Sequence, residues 1–234
     1  MISAVIPAYN EEDRIEETVR ALAQSGLADE IVVVDDASTD HTYRVAAATG
    51  AKVVHLRRRR GKRGAQDAGA RAAHGNYLLF LDADLGATAA NAGPLIEPVL
   101  NGECDMTIGV LPSQAGKGGG FGLVVGLARY GIFRITGQIM EAPLSGQRAM
   151  RRAVWARARG VARGFGSEVA LTIDALRSGY SVMEVPVNMS HRVTGNDLQG
   201  ILHRARQFWD VGRALWIRRK WRCRTTGRPS RPGS

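Results

Sequence analysis

Cysteine is nearly absent: Cys104 and Cys223 are the only two, far apart in the sequence and without a partner at metal-ligand spacing. That excludes a disulfide framework and a cysteine-based zinc site, and it fits a reducing compartment. The first residues, Met1 to Pro7, are too short and uncharged to form a secretory signal. No apolar run reaches the roughly 18 residues expected of a membrane span. The nearest stretch, 121–140, is interrupted by Arg129 and Arg134. These absences point to a cytoplasmic protein, whose one membrane option is peripheral contact on the inner face.

Acidic residues disappear after Asp210, while Arg213, Arg218, Arg219, Lys220, Arg222, Arg224, Arg228 and Arg231 follow. This tail, with a second basic run at Arg57 to Arg60, Lys62 and Arg63, accounts for much of the net charge of +10. Such runs attract polyanions: phosphorylated substrates, anionic lipid or nucleic acid. Nothing in the chain resembles a nucleic-acid-binding motif, so nucleic-acid binding by the tail rests on charge alone. With 44% hydrophobic and 23% charged residues in 234, the composition is that of a folded globular domain.

Short apolar runs alternate with helical patterns through the first half. Ile2 to Pro7, Glu30 to Asp35, Lys52 to Leu56 and Asn76 to Leu81 read as strands. Glu11 to Ser25, a segment running from the Ser38 to Asp40 cap to Ala48, and Gly64 to His74 read as helices. Such alternation predicts an α/β fold with a mostly parallel sheet covered on both faces. Ligands of these sheets bind at the carboxyl ends of strands. Here those ends carry Pro7-Ala8-Tyr9-Asn10-Glu11, Asp35-Asp36 and Asp82-Ala83-Asp84. Further on, a strand is expected over Asp105 to Val110 and a helix over Phe121 to Thr136. A loop from Pro143 leads into a short helix near Arg151 to Ala158. A helix over Gly166 to Ser178 and a strand over Tyr180 to Val187 come next. A long amphipathic helix over Asp197 to Lys220 closes the pattern, with Phe208, Trp209 and Leu215 on or near its apolar side.

Asp82 and Asp84 are the candidate metal ligands. Hard divalent cations take carboxylate oxygens and keep positions open for substrate phosphates. His191, after the last strand, is the candidate to complete that shell. Asp36 is placed to accept hydrogen bonds from a base or ribose. The alternative is that Asp36, Ser38 and Asp40 cap the next helix. Arg60 to Ala65 opens a helix with a basic turn, which favours phosphate. It lacks the glycine and hydroxyl placement of a P-loop, which excludes a Walker-type NTPase.

Val5-Ile6-Pro7-Ala8-Tyr9-Asn10-Glu11-Glu12, Val33-Val34-Asp35-Asp36-Ala37-Ser38-Thr39-Asp40 and Leu81-Asp82-Ala83-Asp84 together resemble the three ordered signatures of family 2 glycosyltransferases. Within that family the chain is most similar to the dolichyl- or polyprenyl-phosphate sugar synthases. Ser145-Gly146-Gln147-Arg148 resembles their Ser-Gly-Phe-Arg loop, and Gly164 to Glu168 with Tyr180 to Pro186 resembles the helix and strand that follow. The resemblance implies a GT-A fold, a nucleotide-binding α/β/α sandwich. It divides the chain into a GT-A domain over 1–195, an amphipathic helix over 196–222 and a basic tail over 223–234.

It also implies roles. Pro7, Ala8, Asn10 and Glu11 or Glu12 would line the nucleotide pocket, and Asp36 would contact base or ribose. Lys62 or Arg63 would approach the diphosphate. Asp82 and Asp84 would hold Mg²⁺ or Mn²⁺ and the donor, a UDP- or GDP-sugar. Arg148 would meet phosphate charge, and Glu168 would orient the sugar or acceptor, or serve as base if the acceptor is a hydroxyl. The acceptor implied first is a lipid phosphate; a small phosphorylated acceptor such as phosphoglycerate is the alternative. The chain departs from the pattern at Gln147, where an aromatic is usual, and at Ala37, where glycine is usual. The stretches 121–140 and 197–220 mix aromatics with arginines, which suits core packing, a homodimer interface or a membrane surface.

Overall fold

The computed structural model describes residues 1–112, 121–157, 166–190 and 198–219. Seven strands form one sheet: β1 (Ile2–Ala8), β2 (Glu30–Asp35), β3 (Lys52–His55), β4 (Tyr77–Phe80), β5 (Met106–Val110), β6 (Arg148–Arg151) and β7 (Val182–Pro186). Their order is β3-β2-β1-β4-β6-β5-β7. All neighbours run parallel except β6, which is antiparallel to both β4 and β5. The mostly parallel α/β sheet is as expected.

The strands are apolar on both faces because both are covered. Ala4, Ile6, Val33, Leu79 and Leu81 enter a core shared with α1 (Ile15–Ser25), α2 (Thr42–Ala48) and α4 (Gly93–Leu100). Their neighbours Val5, Val32, Val34, Leu78 and Phe80 enter the opposite core. That core is shared with α3 (Gly61–Ala72), α5 (Phe121–Thr136), α6 (Arg152–Arg157), α7 (Gly166–Arg177) and α8 (Leu198–Arg219). The period of two along each strand sorts the side chains into two layers. Helix α3 lies so close to the sheet that a Cβ on Gly69 would stand 2.9 Å from Val34 Cγ2.

Several boundaries differ from the sequence pattern. Helix α1 begins at Ile15, so its first-turn acids are Glu16 and Glu17, not Glu11 to Asp13. Helix α3 begins at Gly61, three residues early, because Asp36 caps it from a distant loop. Strand β6 falls where the sequence pattern predicts a loop and a short helix. Its Ala149 and Met150 are wholly buried, and pairing with β4 and β5 overrides local propensity. A 3-10 turn over Gly86–Ala92 and helix α4 follow the Asp82 loop, a segment the pattern left unassigned.

The C-terminal helix is part of the core. Val211, Ala214 and Leu215 are buried, and a Cβ on Gly166 would stand 3.1 Å from Ala214 Cβ. Arg218 holds Asp174 of α7 through Nε–Oδ1 at 2.8 Å and Nη2–Oδ2 at 2.6 Å. The helical pattern puts Phe208 and Trp209 on or near the apolar side, yet they face solvent; Trp209 is 79% exposed. The buried stripe runs through 211, 214, 215 and 218, and residue 209 falls on the far side of a 3.6-residue turn. No described helix is long and apolar enough to cross a membrane. The glycine-rich segment 116–122 lies largely outside the described residues, and the basic tail after Arg219 lies wholly outside them.

Candidate active site

The carboxyl ends of β1, β2 and β4 lie side by side, as the parallel register requires. The loop after β1 is clasped to the loop after β2. Asn10 has φ +57°, a conformation asparagine tolerates better than most side chains. Its backbone N–H donates to Ser38 Oγ at 3.1 Å, and its Oδ1 accepts from Thr39 N at 2.9 Å. Glu11 N donates to Thr42 Oγ1 at 2.8 Å, and Glu12 Oε2 accepts from His41 N at 2.8 Å. Pro7 and Ala8 pair with Val34 and Asp35 inside the sheet, with Ala8 buried. Ala37 sits at φ +59°, where a methyl group costs roughly 1–2 kcal/mol relative to the right-handed region.

Both oxygens of Asp36 are engaged by backbone: Arg60 N donates to Oδ1 at 2.6 Å and Gly61 N to Oδ2 at 2.7 Å. The carboxylate therefore caps α3, not the helix that follows Asp36. Asp40 caps that one, accepting from Thr42 N at 3.0 Å. Asp35, wholly buried, accepts from Ser38 N and meets His55 Nδ1 at 2.6 Å.

Capping by Asp36 aims the basic turn. Lys62 Nζ lies 2.5 Å from Asp82 Oδ1. Burial alone lowers the pKa of this ammonium, but Asp82, Glu168 and Asp84 outweigh it, so the pKa is raised and the charge is secure. Arg63, the alternative to Lys62, turns the other way. It is buried with its guanidinium 3.8 Å over the Trp155 ring and its Nε 3.3 Å from Asp67 Oδ1.

Asp82 and Asp84 are both partly exposed, while Ala83 between them is buried in the core. Both carboxylates lie close enough to the Lys62 ammonium to raise its pKa. The loop is pinned from α1, a feature the sequence did not announce. The wholly buried Thr18 donates through Oγ1 to Ala83 O at 2.8 Å and accepts from Gly86 N at 2.8 Å. Gln147 reaches Asp82 from β6's entry: its Nε2 donates to Oδ2 at 2.8 Å and its Oε1 accepts from Asp82 N at 3.1 Å. Gly146 passes directly against the Lys62–Asp82 pair. A Cβ there would stand 3.1 Å from Asp82 Oδ2 and 3.2 Å from Oδ1, and would run into Lys62 Nζ.

Arg148 is placed beneath this loop, 2% exposed. Its guanidinium donates to the carbonyls of Ser145, Glu168 and Pro143 and to Thr172 Oγ1, at 2.8 to 3.1 Å. Burial pushes its pKa down to about 10 against the pull of Glu168 and Glu184. Its donors thus fold the Ser145-Gly146-Gln147 loop, and Lys62 is the cation presented at the site. Glu168, in the first turn of α7, is buried and accepts from Ser167 Oγ at 2.8 Å. His191 lies outside the described residues.

Among the described residues no group of three acidic, histidine or cysteine side chains gathers around one point. Two neighbouring, partly exposed carboxylates still fit a hard cation whose remaining ligands come from a bound diphosphate and water.

A family model described as Glycosyl transferase family 2 matches residues 3–156. The glucosyl-3-phosphoglycerate synthase of Mycobacterium tuberculosis is 32% identical over 204 residues, covering 74% of this chain and 60% of that protein. The dolichol-phosphate mannosyltransferase of Pyrococcus furiosus is 35% identical over 122 residues, covering 50% of this chain and 34% of its own length. The chain thus spans less than two thirds of the length of each of these two relatives. Among solved structures, the same mycobacterial synthase in complex with Mn²⁺, UDP and phosphoglyceric acid superposes with a TM-score of 0.77 at 30% identity. That match covers 97% of this chain and 81% of the other. A second structure of it, with Mg²⁺ and UDP, matches with a TM-score of 0.77 over 93% of this chain.

Proposed function

The chain belongs to glycosyl transferase family 2, and on that footing we propose that it transfers a sugar from a UDP-sugar to a small phosphorylated acceptor. The observation that carries this reading is the Lys62–Asp82 pair under Gly146, where three strand ends converge. With Asp84 beside it, the pair gives one cation and two carboxylates for a diphosphate and its counter-ion. The mycobacterial synthase, similar over nearly the whole chain, was solved with UDP, Mn²⁺ and phosphoglyceric acid, which favours UDP as the nucleotide and a soluble acceptor.

Asp82 and Asp84, with His191 as the expected third ligand, would hold Mg²⁺ or Mn²⁺. The ion would supply charge neutralisation on the departing diphosphate. Lys62 adds a preorganised positive charge on the same group. The clasped loops bearing Asn10, Glu11 and Glu12 form one wall of the nucleoside pocket, and Asp36 holds the basic turn in position. Glu168 accepts the proton of an acceptor hydroxyl or orients it. Arg57 to Arg60, beside the pocket, supply positive field for a phosphorylated acceptor.

A second reading, transfer to a polyprenyl phosphate, draws on the exposed apolar residues of α5 and α8. Leu123 is 75% exposed, Tyr130 63% and Trp216 64%, among arginines that suit an anionic surface. The relation to the dolichol-phosphate enzyme supports it as well.

Incubation with UDP-glucose and Mn²⁺, with phosphoglycerate in one arm and polyprenyl phosphate in detergent in the other, tests both. Mass spectrometry of a glycosylated phosphoglycerate supports the first reading; product in the lipid arm alone replaces it with the second. No UDP release in either arm, with other nucleotide sugars also inert, refutes both.

A further inference from the structure

Gln147 stands where the resemblance leads one to expect an aromatic side chain, and its place in the fold gives it a specific task. Phe80 pairs with Arg148 across the antiparallel β4–β6 ladder, so one further step brings Gln147 beside the segment that leads into Asp82. The backbone there is held by Gly109 N donating to Gln147 O at 2.9 Å. Seating is tight: a Cβ on Gly109 would stand 3.2 Å from Gln147 Cβ and 3.0 Å from Val187 Cγ2. The side chain is wholly buried. A buried amide needs partners for both its ends, and Asp82 offers one to each, its N–H to Oε1 and its Oδ2 to Nε2.

Two hydrogen bonds from one rigid group to the backbone and the carboxylate of the same aspartate fix that side chain's rotation. An aromatic ring in this position could fill the space but could not set the rotation. With Oδ2 held by Gln147, Oδ1 is directed to the open side, where Lys62 meets it.

We infer that Gln147 is a positioning residue for the cation–diphosphate site, acting through Asp82 and not by touching the donor. The inference rests on the function proposed above. Groups that orient a metal-binding carboxylate typically contribute 10–100-fold to metal affinity.

The test is calorimetric titration of the intact protein with UDP, with and without Mn²⁺. Wild-type protein is expected to bind UDP more tightly when Mn²⁺ is present. In Gln147→Met, which fills the space without either hydrogen bond, that enhancement should fall about 10-fold or more. Affinity for UDP without metal should stay within about twofold, since the nucleoside wall is untouched. Gln147→Asn, too short to reach Asp82, should behave alike and decides the matter if the Met variant does not fold. A purely structural role would lower the unfolding temperature and leave the Mn²⁺ enhancement intact, and that result in a folded variant overturns the inference alone. Absence of any Mn²⁺ enhancement in the wild type overturns the proposed function itself, and the inference with it.

Discussion

Lys62 and Asp82 come from a helix start and a strand end on opposite sides of β1, yet Nζ and Oδ1 are 2.5 Å apart. Gly146 passes so close that it has no room for a side chain. The contact holds a cation where a diphosphate would need one, and it depends on a glycine from a third segment.

Gly146→Ala should therefore uncouple the pair without unfolding the chain. The added methyl group displaces Lys62 Nζ, and a shift of an ångström at a charged site costs on the order of 10²-fold in rate. Sugar-transfer or UDP-release assays alongside thermal unfolding check this; wild-type turnover in the variant would contradict the close approach.

Asp84→Ala removes one of the two carboxylates proposed to hold the cation. Mn²⁺-dependent UDP affinity should drop about 10-fold or more, because a hard cation relies on very few carboxylate ligands beside the substrate phosphates. Titration with and without Mn²⁺ reads it, and circular dichroism should show an unchanged fold, since Asp84 supports no core packing.

Thr18→Val keeps the volume but removes both hydrogen bonds that pin the Asp82 loop. Leaving Ala83 O and Gly86 N without their partner should cost about 1–3 kcal/mol. Denaturant unfolding measures it. Metal-linked UDP binding should weaken in parallel, because the same loop carries Asp82 and Asp84.

Arg218→Met breaks a buried pair with Asp174. An uncompensated buried carboxylate costs about 3–5 kcal/mol, so α8 should loosen from α7 and the whole chain should unfold earlier. The double variant with Asp174→Leu should recover much of the loss, which a pairwise unfolding cycle would show.

Glu30 sets a pH dependence. Burial raises its pKa, but hydrogen bonds from Ser3 and from the backbone and ring of His74 prevail and hold it at about 2, against an ordinary 4.5. A depressed folded value means stability present above pH 4.5 and lost as pH falls toward 2. Allowing for partial exposure, the loss is about 2 kcal/mol. Denaturant midpoints between pH 6 and 2.5 should fall in the wild type and fall less in Glu30→Gln.

The site was legible in the sequence where chemistry and secondary structure coincide. Asn10, Asp36, Asp82 and Asp84 each end or follow an apolar strand, and parallel strands deliver their ends to one edge. Lys62 could not be separated from Arg63, because neighbouring residues on a helix start differ by a rotation that the capping of Gly61 by Asp36 sets. Arg148 looked like a phosphate ligand by its place in a loop motif; burial and four oxygen partners make it the loop's internal brace. Thr18 carried no signal, since a threonine at a helical core position is common and its partners lie 65 and 68 residues away.

The sequence by itself determined the layered α/β sheet and the place of the acidic residues at its strand ends, because hydrophobic period and strand length are local properties that survive without tertiary contacts. Tertiary structure alone decided that β6 is a strand running against its neighbours, that Lys62 and not Arg63 faces Asp82, and that Gln147 sets the Asp82 rotation. Those outcomes turn on hydrogen bonds and close packing between segments far apart in the chain, and the burial that makes an unmade bond costly exists only once the segments have met.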